Sequence, residues 1–320
     1  MADITSEFSE AQYQSFIESC FINDFRGNQE FDIHYFSGVD ERTRGYDIRV
    51  DTFIPIFLQM KRSDFYFHNS TNTDMLNRRN MLNYTDNPGA YYFHLHVDSE
   101  TNEYMQHNLL VDLSNDFNYV RYIAPSFINY DFLMKLKYRV DSIYSNIRIE
   151  SELSFVGGIS SWRDHLHFPH STLIKPHARQ TKVNRIHHKY FFNRQRQISF
   201  HSEPEPISQS ENFQEFINKL NNEFQGKENQ NKISLEKIFN LLKGIIIENL
   251  NIKSEQPQRN NFIRIANLFI ENNILHREFE GLNKIEYSPQ NFYVLTNYLD
   301  KRFGIRTLLA GERQFNFDEI

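Results

Sequence analysis

The chain has 320 residues, of which 39% are hydrophobic and 24% are charged, and its formal net charge is −6. This balance is typical of a soluble globular protein with room for two domains. The single cysteine, Cys20, excludes an internal disulfide and a cysteine-based zinc site. No basic region followed by an apolar run opens the chain, and no apolar stretch is long enough to span a bilayer, so we expect a cytoplasmic protein without membrane contact.

The first half of the chain alternates between helical and strand patterns. Apolar residues recur at helical spacing over Glu7–Phe25, and the alternating aromatic run Phe31–Phe36 predicts a strand. Two further strands are predicted over Tyr46–Phe53 and Pro55–Met60, and the second is apolar almost throughout, as in a strand buried on both faces. Beyond them the pattern predicts strands over 91–97 and 119–124 and helices over 104–113 and 130–143. This order predicts an α/β fold, with a mixed sheet flanked by helices.

The composition changes near Glu203-Pro-Glu-Pro206, after which apolar residues recur mainly at helical spacing. Such stripes span residues 213–220, 233–250, 262–269 and 292–303. We therefore predict two domains, an α/β domain over 1–207 and an all-helical domain over 208–320. The helical domain is expected to bind a protein partner or to form a homo-oligomer.

Three polar residues lie where two predicted strands would meet. Asp47 lies early in one strand, and Gln59 and Lys61 lie two positions apart at the end of the next. Alternate residues of a strand point to the same side, so Gln59 and Lys61 should project together. If the two strands pair as a hairpin, Asp47 reaches the same point. Asp47 and Gln59 would then offer oxygen ligands to Mg²⁺ or Mn²⁺. Lys61 would position or help activate the attacking water, or neutralise charge that develops on the phosphate.

An Asp, a spacer and an apolar strand that ends in Gln-x-Lys resemble the PD-(D/E)xK nuclease superfamily, and the order of the elements over 7–124 resembles its core. The resemblance implies a restriction-endonuclease-like sheet, metal-dependent hydrolysis of phosphodiester bonds and a setting such as bacterial defence against phage. It also implies an upstream glutamate, for which Glu41 is the first candidate and Glu18 and Glu10 are alternatives. Gln59 stands where most members carry an acidic residue, and Tyr46 replaces the Pro of the motif.

A basic segment extends from His165 to Ser202, a window without any acidic residue. Clustered Lys and Arg neutralise phosphates, and aromatic rings such as those of residues 190–192 stack on unpaired bases. We therefore predict that the segment binds nucleic acid, with DNA as the first expectation. The alternative is a solvated basic strand pair, or a patch that docks on the acidic remainder of the chain. The predicted contact residues are Lys175, Arg179, Lys182, Arg185, Lys189, Arg194 and Arg196.

Histidines and two polar residues of the helix predicted over 104–113 are weaker candidates. His94 and His96 share a strand face, but a zinc site needs three or four converging ligands, so ring packing in an aromatic core is favoured. Polar residues on the helix after the Gln-x-Lys strand line the cleft in the resembled superfamily. Gln106 and Asp112 are therefore candidates for such a lining, and a solvent-facing position is the alternative.

The sequence leads to two expectations of function. The first is a Mg²⁺-dependent endonuclease with Asp47, Gln59, Lys61 and Glu41 in its site. The rival is a nuclease-like core without activity, which serves as a scaffold or as the nucleic-acid-binding sensor of a larger complex. Gln59 favours the rival, because an amide is a weaker metal ligand than a carboxylate, and Lys61 argues against it.

Overall fold

The computed structural model describes residues 4–24, 31–35, 52–67, 89–98, 103–137, 170–181, 188–193, 197–201, 205–207, 210–226, 231–251 and 286–312. No helix within these ranges is both long and apolar enough to cross a membrane. The helices are α1 (Glu10–Asp24), α2 (Met105–Asp116), α3 (130–137), α4 (Phe213–Gln225), α5 (Leu235–Asn251) and α6 (Pro289–Phe303).

The strands form two sheets. They are β1 (Phe31–Tyr35), β2 (Phe53–Met60), β3 (Asp64–Phe67), β4 (Gly89–His94), β5 (Tyr119–Pro125), β6 (Ser171–Ile174), β7 (Lys189–Phe192), β8 (Ile198–His201), β9 (Glu205–Ile207), β10 (Ser210–Asn212) and β11 (Ile305–Glu312). The first sheet is mixed, in the order β1-β11-β2-β5-β6-β10, with β2 and β5 parallel. The second sheet is antiparallel, in the order β3-β4-β7-β8-β9. The predicted α/β class, with a mixed sheet and helices, is confirmed.

The strand β2 lies inside the six-stranded sheet and is buried along its whole length, as its apolar sequence predicts. Because side chains alternate, Phe53 and Phe57 enter a core on one face, and Ile54, Ile56 and Leu58 enter a core on the other. The first core includes side chains of α2, α5, α6, β7 and β8, and the second includes those of α1 and α4. The sheet therefore has helices on both faces.

The parallel pair β2 and β5 sets the position of α2. Parallel neighbours need a long crossover connection, and here the chain passes through β3, β4 and α2 between them. The helix α2 packs on the first core through Leu109, Leu110 and Leu113. Its first turn lies beside the end of β2, where Lys61 contacts Gln106.

The prediction of an all-helical segment over 208–320 is wrong at two strands. β10 pairs with β6, and β11 pairs with both β1 and β2 in the six-stranded sheet. The reason for β11 is visible in its sequence, because the adjacent Leu308 and Leu309 enter the two opposite cores, as in a strand buried on both faces. Helical periodicity did identify α4, α5 and α6, while the stripe over 262–269 lies outside the described residues.

The apolar faces of α4, α5 and α6 are used within the chain. Phe216 and Leu220 of α4 are buried in the second core, and Leu242 of α5 and Leu299 of α6 are buried in the first. Strands and helices from both predicted domains thus share the same sheet and the same cores. The expectation that the C-terminal helices bind a partner stays a prediction.

Candidate functional site

The polar residue next to the end of β2 is enclosed by three neighbouring elements. Gln59 pairs with Ile305 of β11 on one edge and with Tyr122 of β5 on the other. Its side chain is fully buried, and its Nε2 donates a hydrogen bond of 2.9 Å to the main-chain oxygen of Phe303. Its Oε1 is also buried and accepts no hydrogen bond from the residues described. An unsatisfied buried oxygen costs about 1–3 kcal/mol, so a ligand that contacts it would be stabilising.

Lys61 is buried beside this amide, with only 6% of its surface exposed. Its Nζ donates a hydrogen bond of 3.0 Å to Oε1 of Gln106. Burial lowers the pKa of the Lys61 ammonium group, and the charge of Glu10 partly opposes this effect. Lysine side chains are rarely buried to this extent, so this position is unusual for a residue that merely ends a strand.

Gln106 connects Lys61 to Gln59. Its Oε1 accepts from Lys61, and its Nε2 donates to the same Phe303 oxygen that Gln59 contacts. Gln59 and Lys61 therefore project to one side, as their spacing predicts. We call these three side chains and the main-chain oxygen of Phe303 the amide–lysine cluster. Because Gln106 is partly exposed, the cluster reaches solvent through it.

The turn from α6 to β11 covers the amide–lysine cluster. Gly304 ends α6 with a φ of 62°, and its N–H donates to the carbonyl oxygen of Asp300. A Cβ at this position would lie 3.4 Å from Nε2 of Gln106 and 3.9 Å from Nε2 of Gln59. Carbonyl groups at a helix C-terminus carry partial negative charge, so the Phe303 oxygen attracts the two amide N–H groups.

The hairpin predicted to bring Asp47 to Gln59 is wrong. Residues 53–59 of β2 pair with β11 on one edge, and residues 56–60 pair with β5 on the other. The start of the second edge is also occupied, because Phe53 exchanges two main-chain hydrogen bonds with Ile233. No edge of β2 is left for a strand over Tyr46–Phe53. Asp47 and Glu41 themselves lie outside the described residues, so their roles stay predictions.

Two acidic residues of α1 are the alternatives to Glu41. Glu18 forms an ion pair of 3.1 Å with Arg306 of β11, which also contacts Asp300 at 2.6 Å. Glu18 thus belongs to a charge network beside the turn after α6. Glu10 is exposed near the start of α1, and its charge acts on Lys61. Of the two, Glu10 is the residue that the electrostatics relate to the amide–lysine cluster.

The described members of the predicted basic segment have three different settings. Arg179 forms an ion pair with Asp112 of α2, which places this cleft candidate in a salt bridge. Lys189 lies over the ring of Tyr92 in the five-stranded sheet, with Nζ 4.8 Å from the ring centroid. Lys175 follows β6 and lines a cavity. Four predicted contacts lie outside the described residues, namely Lys182, Arg185, Arg194 and Arg196.

A histidine-rich region of the first core was not identified from the sequence. His107 is 1% exposed, and its Nε2 lies 2.7 Å from the main-chain oxygen of Ala178. Because that oxygen only accepts, Nε2 carries the proton, and Nδ1 accepts from the hydroxyl of Tyr122 at 2.8 Å. Burial lowers the pKa of His107 to about 3. His177 and His188 lie close enough for any positive charge on them to lower it further. Sequence spacing does not predict the contacts of His107, since Tyr122 and Ala178 are 15 and 71 positions away.

The divalent cation implied by the resemblance fits the described residues in part. Mg²⁺ binds oxygen ligands, and Oε1 of Gln59 is a buried oxygen without a donor. The carboxylate that would carry most of the affinity, Asp47, lies outside the described residues. Within the described ranges no three His, Cys, Asp or Glu side chains are grouped to hold a metal. A neutral Lys61 would not repel a nearby divalent cation as a charged Lys61 would. The lowered pKa of Lys61 favours this neutral form.

Comparison of the chain with protein-family models, with curated proteins and with solved structures gives no match.

Proposed function

We propose that the protein is a metal-dependent nuclease of the PD-(D/E)xK type that hydrolyses phosphodiester bonds in DNA. The observation that supports this best is the amide–lysine cluster. In it Lys61, buried and held by Gln106, lies at the end of the same strand as the unsatisfied amide oxygen of Gln59. A buried lysine and an orphaned oxygen are both costly, and a catalytic role explains why they occur together.

The arrangement assigns separate tasks to its members. Lys61 would hold the attacking water and take up its proton, because its lowered pKa favours the neutral amine. Gln106 would orient Lys61 through the bond between its Oε1 and Nζ. Gln59 and Asp47 would bind the divalent ion, which would stabilise charge that develops on the phosphate. Substrate would approach on the side where Gln106 and Gly304 are accessible to solvent.

A second candidate function is a nuclease-like scaffold without activity. The observation in its favour is that Gln59 and Gln106 both donate to the oxygen of Phe303, so a main-chain group of the chain already occupies their amide N–H groups. The occupied edges of β2 also remove the predicted route by which Asp47 would join them. In this candidate the cluster would stabilise the turn at Gly304.

Cleavage by matched variants separates the two candidates. Full-length protein is incubated with supercoiled plasmid, with single-stranded DNA and with RNA, each in Mg²⁺, Mn²⁺ or EDTA. We expect metal-dependent cleavage of DNA that is lost in Lys61→Met and in Asp47→Ala. The control is Lys135→Met, which removes an exposed lysine of α3 and should leave the cleavage rate unchanged.

Two results would exclude the nuclease. One is the absence of metal-dependent cleavage by folded wild-type protein, and the other is cleavage that survives both substitutions. Binding of DNA is measured in EDTA on the same preparations, with Lys182→Glu and Arg185→Glu to test the basic segment. Retained DNA binding without cleavage would favour the scaffold.

A further inference from the structure

A cavity of about 520 Å³ lies on the face of the six-stranded sheet opposite to the amide–lysine cluster. It is lined by Tyr119 and Arg121 of β5 and by side chains of α4, the helix that packs on the second core. Gln59 instead contacts α6, which packs on the first core, so the cavity is separate from the proposed cleavage site. The volume of the cavity is within the range of about 300–1,000 Å³ that is common for small-ligand sites.

One buried carboxylate holds two cations of this cavity in place. Glu211 of β10 is 5% exposed, and its two oxygens lie 2.5 Å from Nε of Arg121 and 2.5 Å from Nζ of Lys219. Nη1 of Arg121 also donates to the main-chain oxygens of Asn118 and Val120. The Arg121 guanidinium group is thus fixed before any ligand arrives. A fixed guanidinium group loses little entropy when it binds an anion.

The remaining lining groups leave the cavity with excess positive charge. Lys175 lines it without an ion pair to any residue that the structure describes. Glu223 is the acidic lining residue, and its Oε2 accepts from Asn231 at 2.7 Å. With Glu211 counted, three cations stand against two carboxylates. Exposed Asn222 adds an amide at the rim. Fixed cations with amide groups around them suit oxygen-rich anions.

We propose that this cavity binds the phosphate groups of a nucleotide-sized ligand, with Arg121, Lys175 and Lys219 as the contacts. The cavity is a concave, solvent-open site between β5, the end of β6 and α4, and its volume suits a small phosphorylated molecule better than an extended nucleic-acid strand. The proposal goes beyond the nuclease and does not depend on it, because no residue of the cavity belongs to the amide–lysine cluster.

Calorimetric titration of the full-length protein in EDTA tests the proposal without any cleavage. The probes are inorganic pyrophosphate, ATP, adenosine and a short single-stranded oligonucleotide. We expect saturable binding of pyrophosphate and ATP and none of adenosine, since phosphate carries the recognition. Lys175→Glu should weaken ATP binding about 10- to 100-fold, which is the effect of losing one charge-assisted hydrogen bond.

Two further variants keep the test interpretable. Asn222→Asp adds a negative charge at the exposed rim and should also weaken ATP binding. Lys135→Glu makes the same charge reversal as Lys175→Glu on α3, which follows the opposite end of β5, and should leave the affinity unchanged. The proposal is overturned if neither pyrophosphate nor ATP saturates, or if Lys135→Glu weakens binding as much as Lys175→Glu. It is also overturned if the oligonucleotide alone binds.

Discussion

The Nζ of Lys61 lies 3.0 Å from Oε1 of Gln106, a residue 45 positions further along the chain. This contact joins the end of a buried strand to the first turn of the helix that leads to the parallel neighbour of that strand. It holds a desolvated lysine at a point that reaches solvent through Gln106. The stability of the site and its proposed chemistry therefore both depend on Lys61. Replacing Lys61 should change the free energy of unfolding and the cleavage rate in different ways.

Lys61→Met should abolish cleavage while leaving the fold at least as stable as wild type. Methionine has a similar volume and no charge, and replacing buried ionic groups by apolar ones is often neutral or stabilising by about 1–4 kcal/mol. The lost bond to Gln106 is partly replaced by water, since that residue is partly exposed. Urea unfolding at pH 7, followed by circular dichroism, measures the free energy of unfolding.

The same pair of proteins makes a prediction for alkaline pH. Because burial lowers the pKa of Lys61 in the folded protein below its usual value, the unfolded chain binds more protons between the two values. Wild type should gain stability relative to Lys61→Met as the pH rises toward about 10.5. A stability difference that does not change with pH would contradict the desolvation of Lys61.

Gly304→Ala should destabilise the protein by about 1–2 kcal/mol, because a residue with a side chain is strained at a φ of 62°. Its Cβ would also come into van der Waals contact with Nε2 of Gln106. The matched control is Gly244→Ala inside α5, where an added Cβ meets no atom within 4 Å. That change should stabilise by about 0.5–1 kcal/mol, from helix propensity. Thermal unfolding of both variants measures the contrast, and equal effects would contradict the strained turn.

The local geometry of the site was predictable from the sequence, whereas its long-range partners were not. The two-residue period of a strand places Gln59 and Lys61 on one side, and the apolar run before them predicts burial on both faces. Periodicity shows which face of an element is buried but not which element covers it. The bond from Gln106 to Phe303 spans 197 positions. The cost of closing a loop grows slowly with its length, so nearness in sequence selects partners weakly.

The hairpin predicted to bring Asp47 to Gln59 was wrong because the partner of β2 is not its neighbour in the sequence. A strand that follows closely in sequence is the usual antiparallel neighbour, but here β11 pairs with β2 over seven positions from Phe53 to Gln59. The helical stripe of α6 ends at Gly304, and the short apolar strand after it carries no periodic signal of its own. The sequence pattern therefore did not predict β11, or that the turn before β11 covers the amide–lysine cluster.

Leu309→Ala tests the place of β11 in the sheet. Leu309 is fully buried in the first core and lies opposite Pro55 of β2. Its truncation should lower the free energy of unfolding by about 2–5 kcal/mol, as for other buried leucines. Met134→Ala, at a side chain that is 43% exposed, should cost well under 1 kcal/mol and serves as the control.

A fragment of residues 1–207 gives a second test of the same strand. Two independent domains predict that this fragment folds alone. The pairing of β11 with β2 predicts instead that it lacks a cooperative unfolding transition, because β2 loses its neighbour along Phe53–Gln59. A sharp transition of the isolated fragment, measured in urea, would contradict this expectation.

His107→Gln should make the free energy of unfolding depend less on pH in acid. The pKa of His107 is lowered to about 3, so between pH 6.5 and about 3 the unfolded chain binds a proton that the folded protein does not. Stability is therefore lost as the pH falls, by about 1.4 kcal/mol per pH unit from this group. The difference in unfolding free energy between wild type and variant should shrink by about 2 kcal/mol from pH 6.5 to pH 5. Equal losses of stability in wild type and in His107→Gln over this pH range would contradict the burial of a neutral His107.

Gln59→Glu tests whether the site holds a divalent ion without relying on activity. The new carboxylate would be fully buried and would face the main-chain oxygen of Phe303, to which Gln59 now donates. A buried charge without hydrogen-bond partners costs about 3–5 kcal/mol, and Lys61 in the same cluster offsets part of that cost, so in EDTA the variant should be less stable than wild type. If Asp47 and residue 59 bind Mn²⁺, the ion supplies the missing partner. At a concentration 100 times its Kd it would restore about 2.7 kcal/mol.

Two further variants test whether the recovery in Mn²⁺ requires both Asp47 and a carboxylate at position 59. Gln59→Met removes the amide without adding charge and should not respond to Mn²⁺. Asp47→Ala combined with Gln59→Glu should be as unstable as the single variant in EDTA but should lose the recovery, since one ligand is missing. Recovery in the single variant alone would link Asp47 to the end of β2 even though no strand pairing joins them there. Equal stability of Gln59→Glu in EDTA and in Mn²⁺ would instead leave Lys61 and Gln106 as parts of a covered, metal-free turn, which is the arrangement expected of the scaffold.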